Sequence, residues 1–393
     1  FRLRTVLAFI CKIIWEKTLY SSQNMHGEPR KRVLVILLDG VRPDVLLMAD
    51  APALKKLALQ GGAFSFHVHC GPIPLSAPSW ATIITGTPVS EHLLETNATD
   101  AVYRDENGAL MIKPLKSCMC PPARGPLCAV YSRGRKERAS PFPPSLFARL
   151  AAKGKRSALV MQGWNGVGVI SGGKALDAEL NEEVLENGLL HSWFFPKTED
   201  LDSAAAVAKD LLEQPDGPEL VAMFIDIIDG AGHYHGFGMD VPEYTDAIHK
   251  ADFVVAQLLG ALDLHNEDWL VAVTTDHGGT PAYLPADIRT AFLACGCLNA
   301  GISQEKYAGV HGMPELRQHT QTFQIFARAR ELEPGEILPA PEPEDFVPTV
   351  LCHLGVSHEG LIGKICGFAV RKQTNSVPPP PLPLAGRPRR AGL

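Results

Sequence analysis

Four short apolar runs of strand length, each closed by polar or glycine-containing residues, constrain the fold of this chain more than any other feature. Val33 to Leu38 (VLVILL) stops at Asp39-Gly40, and Ser157 to Met161 (SALVM), Leu220 to Ile225 (LVAMFI) and Trp269 to Thr274 (WLVAVT) behave alike. A continuous apolar run, rather than an alternating one, suits a strand buried on both faces. Helical patterns separate the runs. Pro242 to Asp263 places Tyr244, Ile248, Ala251, Val255, Leu258 and Leu262 on one stripe at spacings of three and four. Strands alternating with helices predict an α/β fold with a mostly parallel central sheet and helices on both faces. In an open sheet of that kind, ligands bind in the crevice outside the carboxyl ends of the strands.

Composition sets the outer limits. The 393 residues are 46% hydrophobic and 20% charged, which places them among globular proteins. A single domain is expected over residues 32–372, with surface insertions near 104–140 and 280–308. Residues 1–31 form a separate extension: Thr5 to Trp15 is an apolar run behind Arg2 and Arg4, too short to span a bilayer, read either as a targeting remnant or as an irregular or helical segment. A targeting remnant would make the protein secreted or membrane-associated. The tail from Val377 (VPPPPLPLAGRPRRAGL) favours extended polyproline conformation, and residues 373–393 are set outside the fold as disordered. Thirty-seven Lys and Arg against forty-three Asp and Glu give a net charge of -6. No nucleic-acid-binding surface is expected, and any phosphate affinity must come from a local site. Nine cysteines without regular spacing argue against a disulfide framework.

The chemistry concentrates where the strands stop. Asp39 ends the first run, Asp229 lies just past the third, and Asp276-His277 follows the fourth. One acid after a strand means little, because Asp also favours turns and helix N-caps. Here each has company. Asp229-Gly230-Ala231-Gly232-His233 sets a carboxylate and an imidazole four positions apart, Asp276-His277-Gly278-Gly279 repeats the pairing in adjacent form, and Gly309-Val310-His311-Gly312 adds an imidazole between glycines. Carboxylate and imidazole donors without thiolates suit zinc, or less selectively manganese. Cys118-Met119-Cys120, Cys128 and Cys295-Gly296-Cys297 lack the paired spacing of a zinc site. His67 and His69 are read as structural or surface residues, and His235 as a supporting or substrate-side candidate. A nucleophile is sought in Pro74 to Gly86, where hydroxyls precede an apolar helical run. Ser76 is either an alkoxide-forming nucleophile at a helix N-terminus or an ordinary N-cap.

Taken in order, VLVILLDGVRPD, SAPSWATIITGTPVSEH, DIIDGAGHYHGFG, VTTDHGG, GVHG and EDFVPTVLCHLGV resemble the type I phosphodiesterase/nucleotide pyrophosphatase family of the alkaline phosphatase superfamily, over roughly Val33 to Val356. The resemblance implies an alkaline-phosphatase-like three-layer α/β/α sandwich and a hydrolase for phosphodiester or pyrophosphate bonds. It implies two divalent metal ions, zinc foremost, one on Asp229, His233 and His311 and the other on Asp39, Asp276 and His277. Ser76 matches the nucleophile that forms the covalent phospho-enzyme intermediate, and Asn97 falls where related enzymes place a polar group near the phosphoryl oxygens. Ser79 stands in place of an asparagine that holds phosphate, and is the second substrate-binding candidate. Asn97-Ala98-Thr99 also reads as a glycosylation acceptor. The expected partner is a small phosphate ester, and no transmembrane segment is expected.

Two departures bear on function. Nucleotide-cleaving members commonly carry Thr followed by Phe-Pro-Asn-His, whereas this chain has Ser76-Ala77-Pro78-Ser79-Trp80. Close relatives also place the third histidine soon after the Asp-His-Gly-Gly block, whereas here Thr280 to Ala308 intervenes, and Pro285 to Ala294 echoes Pro314 to Ala327. His319 is then an alternative to His311. A phosphomonoesterase of the same superfamily and an inactive binding protein are the competing readings. A sulfatase is disfavoured because Trp80 stands where that family has arginine. A dinucleotide site is disfavoured because Gly172 falls one position late after Gly166 and Gly168.

Overall fold

A computed structural model describes residues 29–60, 62–97, 102–107, 109–112, 140–171, 182–185, 188–281, 309–328, 336–338 and 341–366. The N-terminal run, Cys118 to Cys128, Cys295 to Cys297, Gly172, the Pro285 to Ala294 echo and the proline-rich tail lie outside them. The four apolar runs are strands: β1 (Arg30–Leu38), β3 (Ser157–Gln162), β6 (Leu220–Ile225) and β7 (Glu267–Thr275). With β2 (Gly62–His69), β4 (Glu182–Leu185), β5 (Leu190–Phe195), β8 (Gln321–Arg328) and β9 (Glu336–Ile337) they form a nine-stranded sheet. Its order is β9-β2-β8-β7-β1-β6-β3-β5-β4. The sheet is mostly parallel, but β8 runs antiparallel to both β7 and β2, and β4 antiparallel to β5.

Alternation of side chains across β1 divides the core in two. Val33, Val35 and Leu37 pack with α3 (Ser76–Thr85) and α7 (Phe346–His353). Leu34, Ile36 and Leu38 face α1 (Pro43–Met48), α2 (Pro52–Leu59), α4 (Leu201–Glu213) and α6 (Pro242–Gly260). The expected three-layer sandwich is therefore present. The stripe expected on Pro242 to Asp263 is buried along α6 through Tyr244, Ile248, Ala251, Val255 and Leu258, although the helix stops at Gly260. Among the described residues, no helix is long and apolar enough to cross a membrane.

Strand order positions the site. β1 pairs in parallel with β7 on one side and β6 on the other, with Leu38 opposite Thr275 and Ile225. The next residues, Asp276, Asp39 and Asp226, therefore emerge side by side at strand spacings of about 4.8 Å. Val102, Ile112 and Phe142, near the ends of the 104–140 segment, belong to the same core cluster as Ala77 and Trp80 of α3. The excursion 282–308 leaves and returns through an antiparallel ladder, Thr280 opposite Val310 and Pro281 opposite Gly309.

Candidate active site

That ladder delivers His311. α5 (Ile227–His235) carries Asp229 and His233 one turn apart on its buried face, β1 and β7 end at Asp39 and at Asp276-His277, and α3 brings Ser76. Asp229, His233 and His311 offer ligand atoms all within 4.8 Å of one another, and so do Asp39, Asp229 and His277. Asp229 is thus common to both clusters. Asp276, expected beside Asp39, reaches the second through His277, with Oδ2 3.2 Å from Nε2. All six side chains are buried.

Backbone carbonyls fix the three imidazoles. His233 Nδ1 donates to Gly309 O (3.2 Å), His277 Nδ1 to Gly278 O (3.0 Å) and His311 Nδ1 to Pro74 O (3.0 Å). A carbonyl only accepts, so each Nδ1 carries a proton and each ring turns its Nε2 inward. The Nε2 atoms of His233 and His311 are 3.2 Å apart. Two nitrogens on one tetrahedral zinc, at bonds of about 2.0–2.1 Å, stand about 3.3 Å apart. Three buried carboxylate oxygens, Asp39 Oδ1, Asp229 Oδ1 and Asp276 Oδ2, have no hydrogen-bond partner. Burying an unpaired carboxylate oxygen is expensive, and a divalent cation among lone pairs removes that cost. The donor set fits metal.

Burial, reinforced by Asp276 and Asp229, pushes the Asp39 carboxyl well above the usual carboxylate range, and burial does the same to Asp276. Burial opposes ionisation of Asp229 too, but the adjacent His233 outweighs it and holds that carboxyl low. Burial holds His277 and His311 well below the ordinary imidazole value. Metal binding needs ionised carboxylates, and the burial that favours the protonated form of Asp39 and Asp276 opposes it. Zinc uptake near neutral pH is therefore expected to release protons, and affinity to rise with pH. Calorimetric titration in two buffers of different ionisation enthalpy measures this, and identical heats would contradict it.

Ser76 is the first residue of α3, and the N-cap is Leu75 without a side-chain cap bond. The ordinary N-cap reading is thereby corrected. Ser76 Oγ instead donates to His277 Nε2 at 3.1 Å. Asn97 lies close by, its Oδ1 accepting from Ala77 N at 3.0 Å. Ser79 is placed differently from the expectation: it is 1% exposed and its Oγ donates to Ile73 O (3.2 Å), so its one proton is not available to a phosphate. His235 is exposed, 3.8 Å from Glu243, and stands outside the cluster. His319 does not replace His311, because it bonds Thr280 Oγ1 (2.9 Å) and accepts from Met313 N (3.1 Å). His67 and His69 are exposed on β2, as expected.

Supporting residues escaped the sequence reading. Tyr244 Oη donates to Gly40 O (2.6 Å) and accepts from Arg42 N (2.9 Å), locking the turn that follows Asp39. Gly40 has φ +69, and a Cβ there would stand 2.7 Å from Asp229. Phe237 is fully buried and edge-on to His233 and His311, where a Cβ on Gly232, Gly279 or Gly309 would collide with its ring. A Cβ on Gly309 would also strike the Gly232 carbonyl oxygen, which is backbone and cannot rotate away. Gly309→Ala is expected to cost about 2 kcal/mol or more and to displace His311. A lower urea midpoint with weakened zinc binding is the readout, and wild-type values for both would contradict it.

Residues 33–293 match the family model described as type I phosphodiesterase / nucleotide pyrophosphatase. The chain belongs to that family. Membership makes it a phosphoric ester hydrolase of the alkaline phosphatase superfamily. The matched stretch ends before His311, whose place is given by the fold. Solved structures of family relatives agree in architecture. An inactive variant of murine ectonucleotide pyrophosphatase / phosphodiesterase 5, in complex with AMP, is 15% identical with a TM-score of 0.52, covering 86% of this chain and 98% of that one. The human phosphodiesterase 5 is 15% identical with a TM-score of 0.51, covering 85% and 97%. A candidate sulfatase from Bacteroides thetaiotaomicron is 14% identical with a TM-score of 0.50, covering 87% and 74%. At such identities the likeness concerns the fold alone. No curated protein matches the chain by sequence.

Proposed function

We propose that this family member is a metal-dependent hydrolase that cleaves phosphodiester or pyrophosphate bonds through a covalent phosphoserine on Ser76. Asp229, His233 and His311 would hold one divalent cation and Asp39, Asp276 and His277 a second, zinc foremost, with Asp229 within reach of both. One observation carries the reading: three unpartnered carboxylate oxygens and three inward imidazole nitrogens converge beside a serine hydroxyl 3.1 Å from one of them. Bound divalent metal supplies Lewis-acid charge for the attacking and leaving oxygens and makes hydroxyl and water acidic enough to react near neutral pH.

The chain's own groups do the rest. Ser76 Oγ gives up its proton to solvent as it attacks phosphorus, the Oγ–P bond forms, and the P–O bond to the leaving group breaks. The leaving oxygen takes its proton from solvent. Water then cleaves the Oγ–P bond and restores the hydroxyl. Asn97 has its Oδ1 committed to Ala77 N, which leaves the Nδ2 hydrogens as donors for a phosphoryl oxygen. The N-terminus of the ten-residue α3 favours the same anion.

The test is a substrate panel on chelator-stripped and zinc-restored protein: bis-p-nitrophenyl phosphate, p-nitrophenyl phosphate, a nucleoside 5′-p-nitrophenyl phosphate and p-nitrophenyl sulfate. The nucleoside ester is included because the murine relative's structure holds AMP. Diester turnover that disappears with chelator and returns with zinc is expected. Turnover of the monoester alone would favour a phosphomonoesterase, and none on any ester would favour a binding protein.

A further inference from the structure

The helix that carries Ser76 presents a second group to the site one turn later. Trp80 is fully buried, and its Nε1–H donates to Asp39 Oδ2 at 3.0 Å. Residues four apart on a helix share a face, so Ser76 and Trp80 address neighbouring members of one cluster, His277 and Asp39. Among the described residues, this is the one hydrogen bond given to the Asp39 carboxylate. The other oxygen, Oδ1, has no hydrogen-bond partner and lies 3.5 Å from His277 Nε2. The indole is held in turn, edge-on against Phe224 with ring centroids 5.6 Å apart at 78°.

We infer that Trp80 is a positioning residue for the Asp39 metal ligand: its indole N–H occupies Oδ2 and leaves Oδ1 as the single oxygen aimed into the cluster. This deepens the proposed function and rests on it. The physical argument is orientation in a dry site. A carboxylate free to rotate offers a cation either oxygen or both, whereas one oxygen tied to a neutral donor fixes the ligand atom before metal arrives. Such outer hydrogen bonds are worth about 10–100-fold in metal affinity in other sites. A neutral donor suits this place, because a cationic side chain would compete with the metal for the same charge. The other acids are held by different means: Asp276 Oδ1 accepts from Gly40 N (3.1 Å), and Asp229 Oδ2 faces His233 Nε2 (3.2 Å). Loss of the indole donor should therefore weaken one cation site and spare the one on Asp229, His233 and His311.

Trp80→Phe keeps an aromatic ring and deletes the N–H. Zinc titration against a competing chromophoric chelator, on folded apo-protein, should resolve two affinities in the wild type. In the variant one of them should fall about 10–100-fold, with kcat reduced more than KM. A residue that merely fills the core would lower the melting temperature and leave both affinities alike. Two unchanged affinities in folded Trp80→Phe overturn this inference while the parent reading stands, and a wild type that takes up no metal overturns both. Should the variant fail to fold, the indole N–H resonances of ¹⁵N-labelled wild type give the same decision. One resonance should shift as zinc fills the site and exchange more slowly with solvent, and no responding indole would overturn the inference.

Discussion

Ser76→Ala is expected to lower phosphodiester turnover by about 10³-fold or more while zinc content and folding stay near wild type. A factor of 10³ is about 4 kcal/mol of barrier, the scale expected when a covalent route is removed. Stability should hold because the hydroxyl caps nothing: Leu75 is the N-cap, and Ser76 Oγ has His277 Nε2 as its partner. An alanine at the first helical position is well tolerated, so the change should stay within about 0.5 kcal/mol. Turnover measured beside metal analysis and a melting curve separates the cases. Unchanged turnover would remove Ser76 as nucleophile, whereas lost zinc would mean that the serine holds metal more than it reacts.

Asp229→Asn is the second large effect, because Asp229 belongs to both clusters. Its Oδ2 lies 3.2 Å from His233 Nε2, and its Oδ1, 3.8 Å from His311 Nε2, has no hydrogen-bond partner. An amide keeps the shape but loses the charge, and its nitrogen cannot bind a cation. The variant is expected to hold fewer than one zinc per chain and to be inactive. Metal that binds only the folded state at about 100 times its dissociation constant adds about 2.7 kcal/mol per site, so zinc should raise the melting temperature of the wild type and not of Asp229→Asn. Asp39→Asn should lose only one of the two ions. Full zinc content in Asp229→Asn would contradict the shared role.

Much of this site was legible because its residue types are rare in combination. Asp39, Asp229, His233, Asp276, His277 and His311 were each singled out from blocks of acid, histidine and glycine, and the structure draws them into one buried cluster. The grouping was not legible. Asp229 rather than Asp276 completes the close set with Asp39 and His277, because α5 sets Asp229 against Gly40, the residue after Asp39. Ser79 read as a phosphate contact from its place in the block, yet its hydroxyl is spent on the Ile73 carbonyl. Trp80 read as an argument against a sulfatase, and Phe237 was not singled out. Indole and phenyl groups carry no local signal of what they will face, since that is decided by the packing partner.

The sequence alone determined that strands buried on both faces alternate with helices, because the continuous apolar runs are of strand length and closed by polar or glycine-containing residues. It also determined which acids and imidazoles stand where strands end. Only the tertiary structure decided that β7, β1 and β6 are neighbours, which brings Asp276, Asp39 and Asp226 side by side. It decided as well that the 282–308 excursion closes through the Thr280–Val310 ladder and returns His311 to within 3.2 Å of His233. The reason is physical: strand order and loop return are set by how whole faces bury against one another, and the spacing of residues along a chain does not specify that distance.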